Sequence, residues 1–122
     1  MEDWKNFKIL VVEDDKINLF SINKVLSETN IQITKAVNGK IAVGLCEKEK
    51  FDIILMNITM PVMDGYEATR EIRKFNKDVP IIANSNWGNI TEKCLECGCN
   101  DFIRNPMDKE ELLALIKKYL KR

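Results

Sequence analysis

The stretch FDIILMNITMPVMDGYEATREIR, from Phe51 to Arg73, decides the fold. Its first part, Asp52–Asn57, is a nearly continuous apolar run, which is typical of a parallel strand covered on both faces. Asp64-Gly65 then marks a turn, and apolar residues recur after it at helical spacing. A strand, a loop and a helix in this order predict one βα unit.

The same alternation of apolar and amphipathic segments runs through the whole chain and predicts five βα units around a parallel sheet. The strands are predicted near Lys8–Val12, Gln32–Val37, Asp52–Asn57, Pro80–Asn84 and Asp101–Arg104. The helical segments should place an apolar stripe in the core, formed by Leu19, Ile22, Leu26, Ala68, Ile72, Phe75, Leu112, Leu115, Ile116 and Leu120. Asn38-Gly39, Asp64-Gly65 and Asp108 are the expected helix starts. These patterns predict an α/β doubly wound fold.

Composition limits the function further. The chain has 122 residues, which suits a single domain, and its 19 Lys and Arg balance its 19 Asp and Glu. The absence of basic excess argues against direct nucleic-acid binding. The apolar runs fall well short of the roughly 20 residues of a membrane span, and the start, MEDWKNF, is unlike a signal peptide. A cytoplasmic protein without a membrane segment is therefore expected.

Two residue types narrow the chemistry. The sequence has no histidine, so this chain cannot be a phosphohistidine donor. Its four cysteines are expected to be free thiols in a reducing compartment. Three of them form the cluster KCLECGC, but zinc needs four ligands and Cys46 is distant, so metal binding is disfavoured.

Four segments together resemble the receiver domain of two-component signalling, in the form found in hybrid histidine kinases. They are KILVVEDDKIN from Lys8, MPVMDG from Met60, PIIANSN from Pro80 and NDFIRNP from Asn100. The resemblance runs from about Lys8 to Leu120 and implies one receiver-like domain over residues 1–122. It also implies the flavodoxin-like (βα)5 strand order 2-1-3-4-5.

The resemblance assigns a site at the carboxyl ends of the strands. In receivers the third strand ends in a phospho-accepting aspartate, and Asn57 occupies that position here. A Mg²⁺ ion is held by an acidic pair, here Glu13 and Asp14, by the acceptor side chain and by a backbone carbonyl, here that of Thr59. A neutral amide has no anionic oxygen for phosphoryl attack, and it weakens a cation site, so we expect at most weak Mg²⁺ binding.

Three further positions follow from the same resemblance. Ser85 supplies the hydroxyl that contacts the phosphoryl group, and Phe102 occupies the aromatic switch position. Asn105 stands where receivers have a lysine. We hypothesise that an amide hydrogen bond between Asn57 and Asn105 replaces the ion pair of the family.

Two segments of the site have competing interpretations. Without the resemblance, Glu13-Asp14-Asp15 would be a solvated loop and helix cap. In the loop Asn84–Asn89, NSNWGN, Asn86 and Trp87 follow the hydroxyl position, where receivers usually have a small residue. Trp87 either caps the pocket or belongs to a variable surface loop.

The sequence therefore favours an atypical receiver that is not an enzyme and is not phosphorylated at Asn57. It would act by binding a histidine kinase, a phosphotransfer domain or a downstream signalling protein, through the face of the fourth helix, fifth strand and fifth helix; homodimer formation stays open. The alternative is a conventional Mg²⁺-dependent phosphoacceptor whose aspartate has been substituted in this sequence. A flavodoxin-like cofactor enzyme is disfavoured because no glycine-rich phosphate loop follows the first strand.

Overall fold

The computed structural model describes residues 2–85 and 91–120. Strands and helices alternate along these residues. In chain order they are β1 (Lys8–Val12), α1 (Lys16–Ser27), β2 (Gln32–Ala36), α2 (Gly39–Lys48), β3 (Ile53–Asn57), α3 (Gly65–Arg73), β4 (Ile81–Ser85), α4 (Thr91–Cys97), β5 (Asp101–Arg104) and α5 (Lys109–Leu120).

The strands form one sheet in the order β2-β1-β3-β4-β5, and every neighbouring pair is parallel. This confirms the predicted doubly wound fold and its strand order. The predicted strand bounds differ from the observed ones by one residue at most. The largest consequence is at Val37, which was predicted to end the second strand but lies outside β2 and is exposed.

Side-chain caps set where four of the helices begin, as the sequence predicts for three of them. Asn38 accepts a hydrogen bond from the Ile41 amide, and Asp64 accepts one from the Glu67 amide. Asp108 caps α5 in the same way. Asp15, which was considered as an ordinary cap, does cap α1. Each cap satisfies an amide that the first helical turn leaves without a partner.

The sheet separates two hydrophobic clusters. One cluster packs α2, α3 and α4 onto one face of the sheet, and the other packs α1 and α5 onto the opposite face. The central strands β3 and β4 are buried along their full length, because both of their faces are covered. Trp4, which precedes the predicted core, is buried with the α1 and α5 cluster.

One predicted core residue is wrong. Phe75 continues the spacing of Ala68 and Ile72, but α3 ends at Arg73 and the Phe75 side chain is 45% exposed. The spacing fails there because the chain has left the helix that carries the stripe.

Within residues 2–85 and 91–120, no helix has the length and apolar character needed to cross a membrane.

Candidate functional site

The candidate site lies where β1, β3 and β4 end at the same edge of the sheet. Glu13 directly follows β1, Asn57 is the last residue of β3, and Ser85 is the last residue of β4. All three are buried, whereas Asp14 is exposed. Parallel strands place their carboxyl ends together, so this clustering follows from the topology.

The Asn57 side chain links the two acidic residues. Its Nδ2 atom donates to Glu13 Oε2 at 2.8 Å and to Asp14 Oδ1 at 3.2 Å. The reverse orientation of the amide would put Asn57 Oδ1 against two carboxylates that can only accept. Charge therefore fixes the direction of this amide, and Asn57 acts as a bridge between Glu13 and Asp14.

Glu13 is the most buried of these charges, with 1% of the residue exposed. Burial raises the pKa of its carboxyl group, and the neighbouring charge of Asp14 acts in the same direction. Hydrogen bonds from the Asp15 backbone and from the Asn57 amide oppose that rise in pKa. The site thus concentrates negative charge and offsets it only partly with hydrogen-bond donors.

Asn84 is a member of the site that the sequence prediction missed. It pairs with Asn57 in the register of β3 and β4, and its Nδ2 donates to Glu13 Oε1 at 3.4 Å. Its Oδ1 atom is buried and has no hydrogen-bond partner among residues 2–85 and 91–120. The available signal was a polar residue within the otherwise apolar β4 run, since a buried amide in a strand needs polar neighbours.

The hypothesis of an amide hydrogen bond between Asn57 and Asn105 is wrong. Among the described residues, the Asn57 amide nitrogen donates to Glu13 and Asp14, and no hydrogen bond joins it to Asn105. Two carboxylate acceptors attract an N–H more strongly than a neutral amide oxygen does. Asn105 is positioned instead through its backbone amide, which donates to the Ser85 carbonyl at 3.0 Å.

The remaining predicted residues lie around this centre. Ser85 is 2% exposed at the end of β4, and Phe102 is partly buried on β5, where it pairs with Ala83. Thr59 is exposed two residues beyond β3. Asn86 and Trp87, the basis of the proposed pocket cap, lie outside the described residues.

The donor set fits a hard divalent cation only in part. Carboxylate and carbonyl oxygens from Glu13, Asp14 and Thr59 are the ligand types that Mg²⁺ prefers. However, Asn57 turns its Nδ2 atom toward both carboxylates, so the amide must rotate before its Oδ1 could coordinate a cation. The amide already occupies the position between the two negative charges.

Comparisons with known proteins agree on one family. Residues 9–117 match the response regulator receiver domain family. The chain is 34% identical over 121 residues to "Transcription factor SKN7" of Saccharomyces cerevisiae, with 96% of this chain and 19% of that protein covered. It is 39% identical over 119 residues to "Hybrid signal transduction histidine kinase M" of Dictyostelium discoideum, with 90% of this chain and 5% of that protein covered.

A solved structure gives the same result. The receiver domain of a Pseudomonas aeruginosa sensor histidine kinase superposes with a TM-score of 0.87 at 36% identity, covering 93% of this chain and 97% of that one. That structure has a magnesium ion coordinated in its active-site cleft. The chain spans a fifth or less of the two whole proteins, so the likeness concerns one domain of each.

Proposed function

This chain belongs to the response regulator receiver domain family, and from that premise we propose that it is an atypical receiver of two-component signalling. In this proposal Asn57 does not accept a phosphoryl group. The domain works as an interaction module and catalyses no reaction of its own.

The bridge made by Asn57 carries the proposal. An acceptor must present an anionic oxygen to the incoming phosphorus atom. Asn57 presents an amide whose nitrogen is already committed to Glu13 and Asp14. Asn105 adds no positive charge where the family has a lysine, so stabilisation of the phosphoryl oxygens is also reduced.

We extend the proposal to the cation. Glu13, Asp14, the Asn57 amide oxygen and the Thr59 carbonyl would hold Mg²⁺, which would offset the negative charge of the acidic pair. The cation would have to displace the Asn57 hydrogen bonds and would find one carboxylate fewer than a conventional receiver offers. Both effects support weak Mg²⁺ binding.

The proposed partners are a histidine kinase, a phosphotransfer domain or a downstream signalling protein. A concave surface of about 620 Å³ between β5 and α5 suits such contacts, and it is lined by Phe102 and Leu115 with Arg104, Glu111 and Lys118 around them. Apolar residues within a charged rim are the usual composition of a protein-binding surface. This surface belongs to the face that the sequence analysis proposed.

Phosphoryl transfer from a small phosphodonor tests the proposal directly. The parent chain, Asn57→Asp and the double variant Asn57→Asp with Asn105→Lys are each incubated with Mg²⁺ and the donor. Intact mass reports an added phosphoryl group as about 80 Da. Beryllofluoride binding, followed by NMR shifts, gives a second readout that does not need a stable acyl phosphate.

We expect modification only in the variants that carry the restored aspartate, with more of it in the double variant. Asn105→Lys alone is the matched control, because it restores the positive charge of the lysine without restoring the aspartate nucleophile. This variant should stay unmodified. A phosphoryl group on the parent chain would overturn the proposal. Failure of every variant to respond would show that the site is remodelled beyond these two positions.

A further inference from the structure

The cysteine cluster that the function leaves unused sits at the end of α4. The Cys99 amide donates to the Cys94 carbonyl at 2.9 Å, and the Gly98 amide donates to the Leu95 carbonyl at 3.1 Å. Gly98 has a φ of +115°, so these bonds form the left-handed turn that commonly ends a helix. The turn ends α4 and leaves Cys97 and Cys99 on either side of Gly98 in the chain.

This turn places two thiols in contact. Cys97 Sγ lies 3.9 Å from Cys99 Sγ, and the Cys97 thiol also donates to the Cys94 carbonyl oxygen at 3.1 Å. Cys99 Sγ lies 3.8 Å from Thr69 Oγ1 on α3. The two sulfur atoms therefore lie in contact within the hydrophobic cluster of α2, α3 and α4, with one hydroxyl and one carbonyl group beside them. A hydrogen bond between them lets one sulfur carry extra negative charge.

Gly98 and Arg73 hold the turn in place. The Arg73 Nε atom donates to the Gly98 carbonyl at 2.9 Å, and the Arg73 side chain covers Gly98 so closely that a Cβ there would lie 2.8 Å from Arg73 Cγ. The turn is thus fixed by α3 as well as by its own backbone. A fixed turn keeps the two sulfur atoms near each other.

We propose that Cys97 and Cys99 form a reversible redox modification site, at which a hydroperoxide oxidises the pair to a disulfide. The step needs little movement, because the sulfur atoms must close from 3.9 Å to a bond length of about 2.05 Å. Cys97 is the attacking thiol: it is the most exposed of the three clustered cysteines, at 7%, and it lies near Arg70. Cys99 is the resolving thiol.

The chemistry balances with the hydroperoxide as the only oxidant. The Cys97 thiolate attacks the terminal oxygen, the O–O bond breaks, and the leaving oxygen departs as an alcohol or water after taking a proton. Cys97 is then a sulfenic acid. The Cys99 sulfur attacks the Cys97 sulfur, the S–S bond forms, and the hydroxyl group leaves with the Cys99 proton as water. The two thiols lose two electrons and the hydroperoxide gains them.

Mapping on the unmodified chain tests the site. Reduced protein is treated with hydrogen peroxide, the remaining thiols are alkylated under denaturing conditions, and a protease that cleaves after glutamate separates Cys94 from the other two at Glu96. We expect Cys46 and Cys94 to be alkylated. The fragment that contains Cys97 and Cys99 should be unalkylated and lighter by about 2 Da, the mass of two hydrogens, than the same fragment with two free thiols. Dithiothreitol should restore four alkylatable thiols.

Variants separate the two roles. Cys99→Ser should stop at a sulfenic acid on Cys97, seen as a gain of about 16 Da and trapped by a dimedone reagent. Cys97→Ser should lose both products, and Cys46→Ser should behave as the parent. Circular dichroism checks that each variant is folded. If a variant does not fold, the mapping of the Cys97–Cys99 bridge on the parent chain still tests the proposal.

Cys46 is also an internal control for mere accessibility. It is the most exposed of the four cysteines, but burial raises the pKa of its thiol to about 11. The hydrogen bond from Cys99 lowers the pKa of Cys97 to about 7, with help from Arg70. If accessibility governs the reaction, Cys46 is oxidised first, and that result, or an absence of the Cys97–Cys99 bridge, overturns the proposal.

The oxidation rate should depend on pH with a defined sign. A thiol with a lowered pKa becomes a thiolate as pH rises through that pKa, so the rate should increase up to about pH 7 and then level off. The groups of α3 that face the cluster are Tyr66, Arg70 and Arg73, and those beside Cys97 are Cys94 and Cys99. A rate that keeps rising beyond pH 7 and levels off only near the usual thiol pKa of about 8.5 would mean that an ordinary thiol is reacting.

Discussion

At the scale of single residues, two side-chain amides surround one buried carboxylate. Asn57 and Asn84 are partners in the register of β3 and β4, and both donate to Glu13. The Asn84 bond is long, at 3.4 Å, and within the part of the chain that the structure describes the Oδ1 atom of that amide has no partner. A buried oxygen without a hydrogen bond and a buried charge each lower the free energy of unfolding. The arrangement of side chains at this site therefore reduces the stability of the protein.

Replacing the buried charge should stabilise the protein. In Glu13→Gln the new side chain keeps an oxygen for Asn57, and its new nitrogen can donate to Asn84 Oδ1 once the Asn84 amide turns over. We expect the free energy of unfolding to rise by about 1–2 kcal/mol at pH 7, because a buried charge is removed, while the turned Asn84 amide exchanges its donor bond for an acceptor bond. Urea denaturation in a chelating buffer measures this.

The matched control is Asp14→Asn, which removes a charge from an exposed residue and should change stability much less. A loss of stability in Glu13→Gln would mean that the carboxylate contributes more through its hydrogen bonds than it costs through burial.

The sequence predicted that residues at the strand ends lie close together, but it did not predict the direction of the Asn57 side-chain amide. Glu13, Asp14, Asn57 and Ser85 come together because parallel strands end at one edge, which their positions in the chain already imply. The direction of the Asn57 amide depends on distances to two carboxylates, and these exist only after folding. That is why the predicted bond to Asn105 was wrong.

At the scale of the elements, the short segments between strands and helices matter most. The starts of α2, α3 and α5 were predictable because Asn38, Asp64 and Asp108 are capping residues next to apolar stripes. The end of α3 was less predictable, since Phe75 continues the stripe beyond the helix. The packing of Gly65 against the end of β3 could not be read from the sequence either.

Two glycine substitutions should have opposite effects. A Cβ at Gly65 would meet the Asn57 carbonyl oxygen and lie 2.8 Å from Ile58 Cα, so α3 would have to move away from β3. We expect Gly65→Ala to destabilise by about 1–3 kcal/mol. Gly44, inside α2, has no atom within 4 Å of an added Cβ, and Gly44→Ala should stabilise by about 0.5–1 kcal/mol.

Thermal unfolding of both variants, followed by circular dichroism, distinguishes these effects. Gly44→Ala serves as the control for a general effect of adding a methyl group. If Gly65→Ala were as stable as the parent, the approach of α3 to the strand would be looser than the contacts indicate.

At the scale of the whole molecule, one sheet holds two separate hydrophobic clusters. Ile72 on α3 belongs to one cluster and Ile116 on α5 belongs to the other, and both are 0% exposed. The alternation of segments predicted this two-sided arrangement. It did not predict Trp4, because a lone aromatic residue in a polar segment carries no periodicity.

The two clusters should contribute independently to stability. We expect Ile72→Val and Ile116→Val each to lower the free energy of unfolding by about 0.5–1.5 kcal/mol. In the double variant the losses should add to within about 0.5 kcal/mol, because the sheet lies between the two sites. Urea denaturation of the four proteins completes the cycle, and a larger coupling energy would mean that the sheet transmits packing changes between its faces.

The bridge made by Asn57 also bears on how a cell could control this protein. A site whose shape is completed by its own side chain at folding does not wait for a diffusible group to set it. Under the proposed function, signalling through this protein would therefore depend on its concentration, which synthesis and degradation set. Such a protein acts by dose, and its partners would respond to its concentration as they would to a competitor.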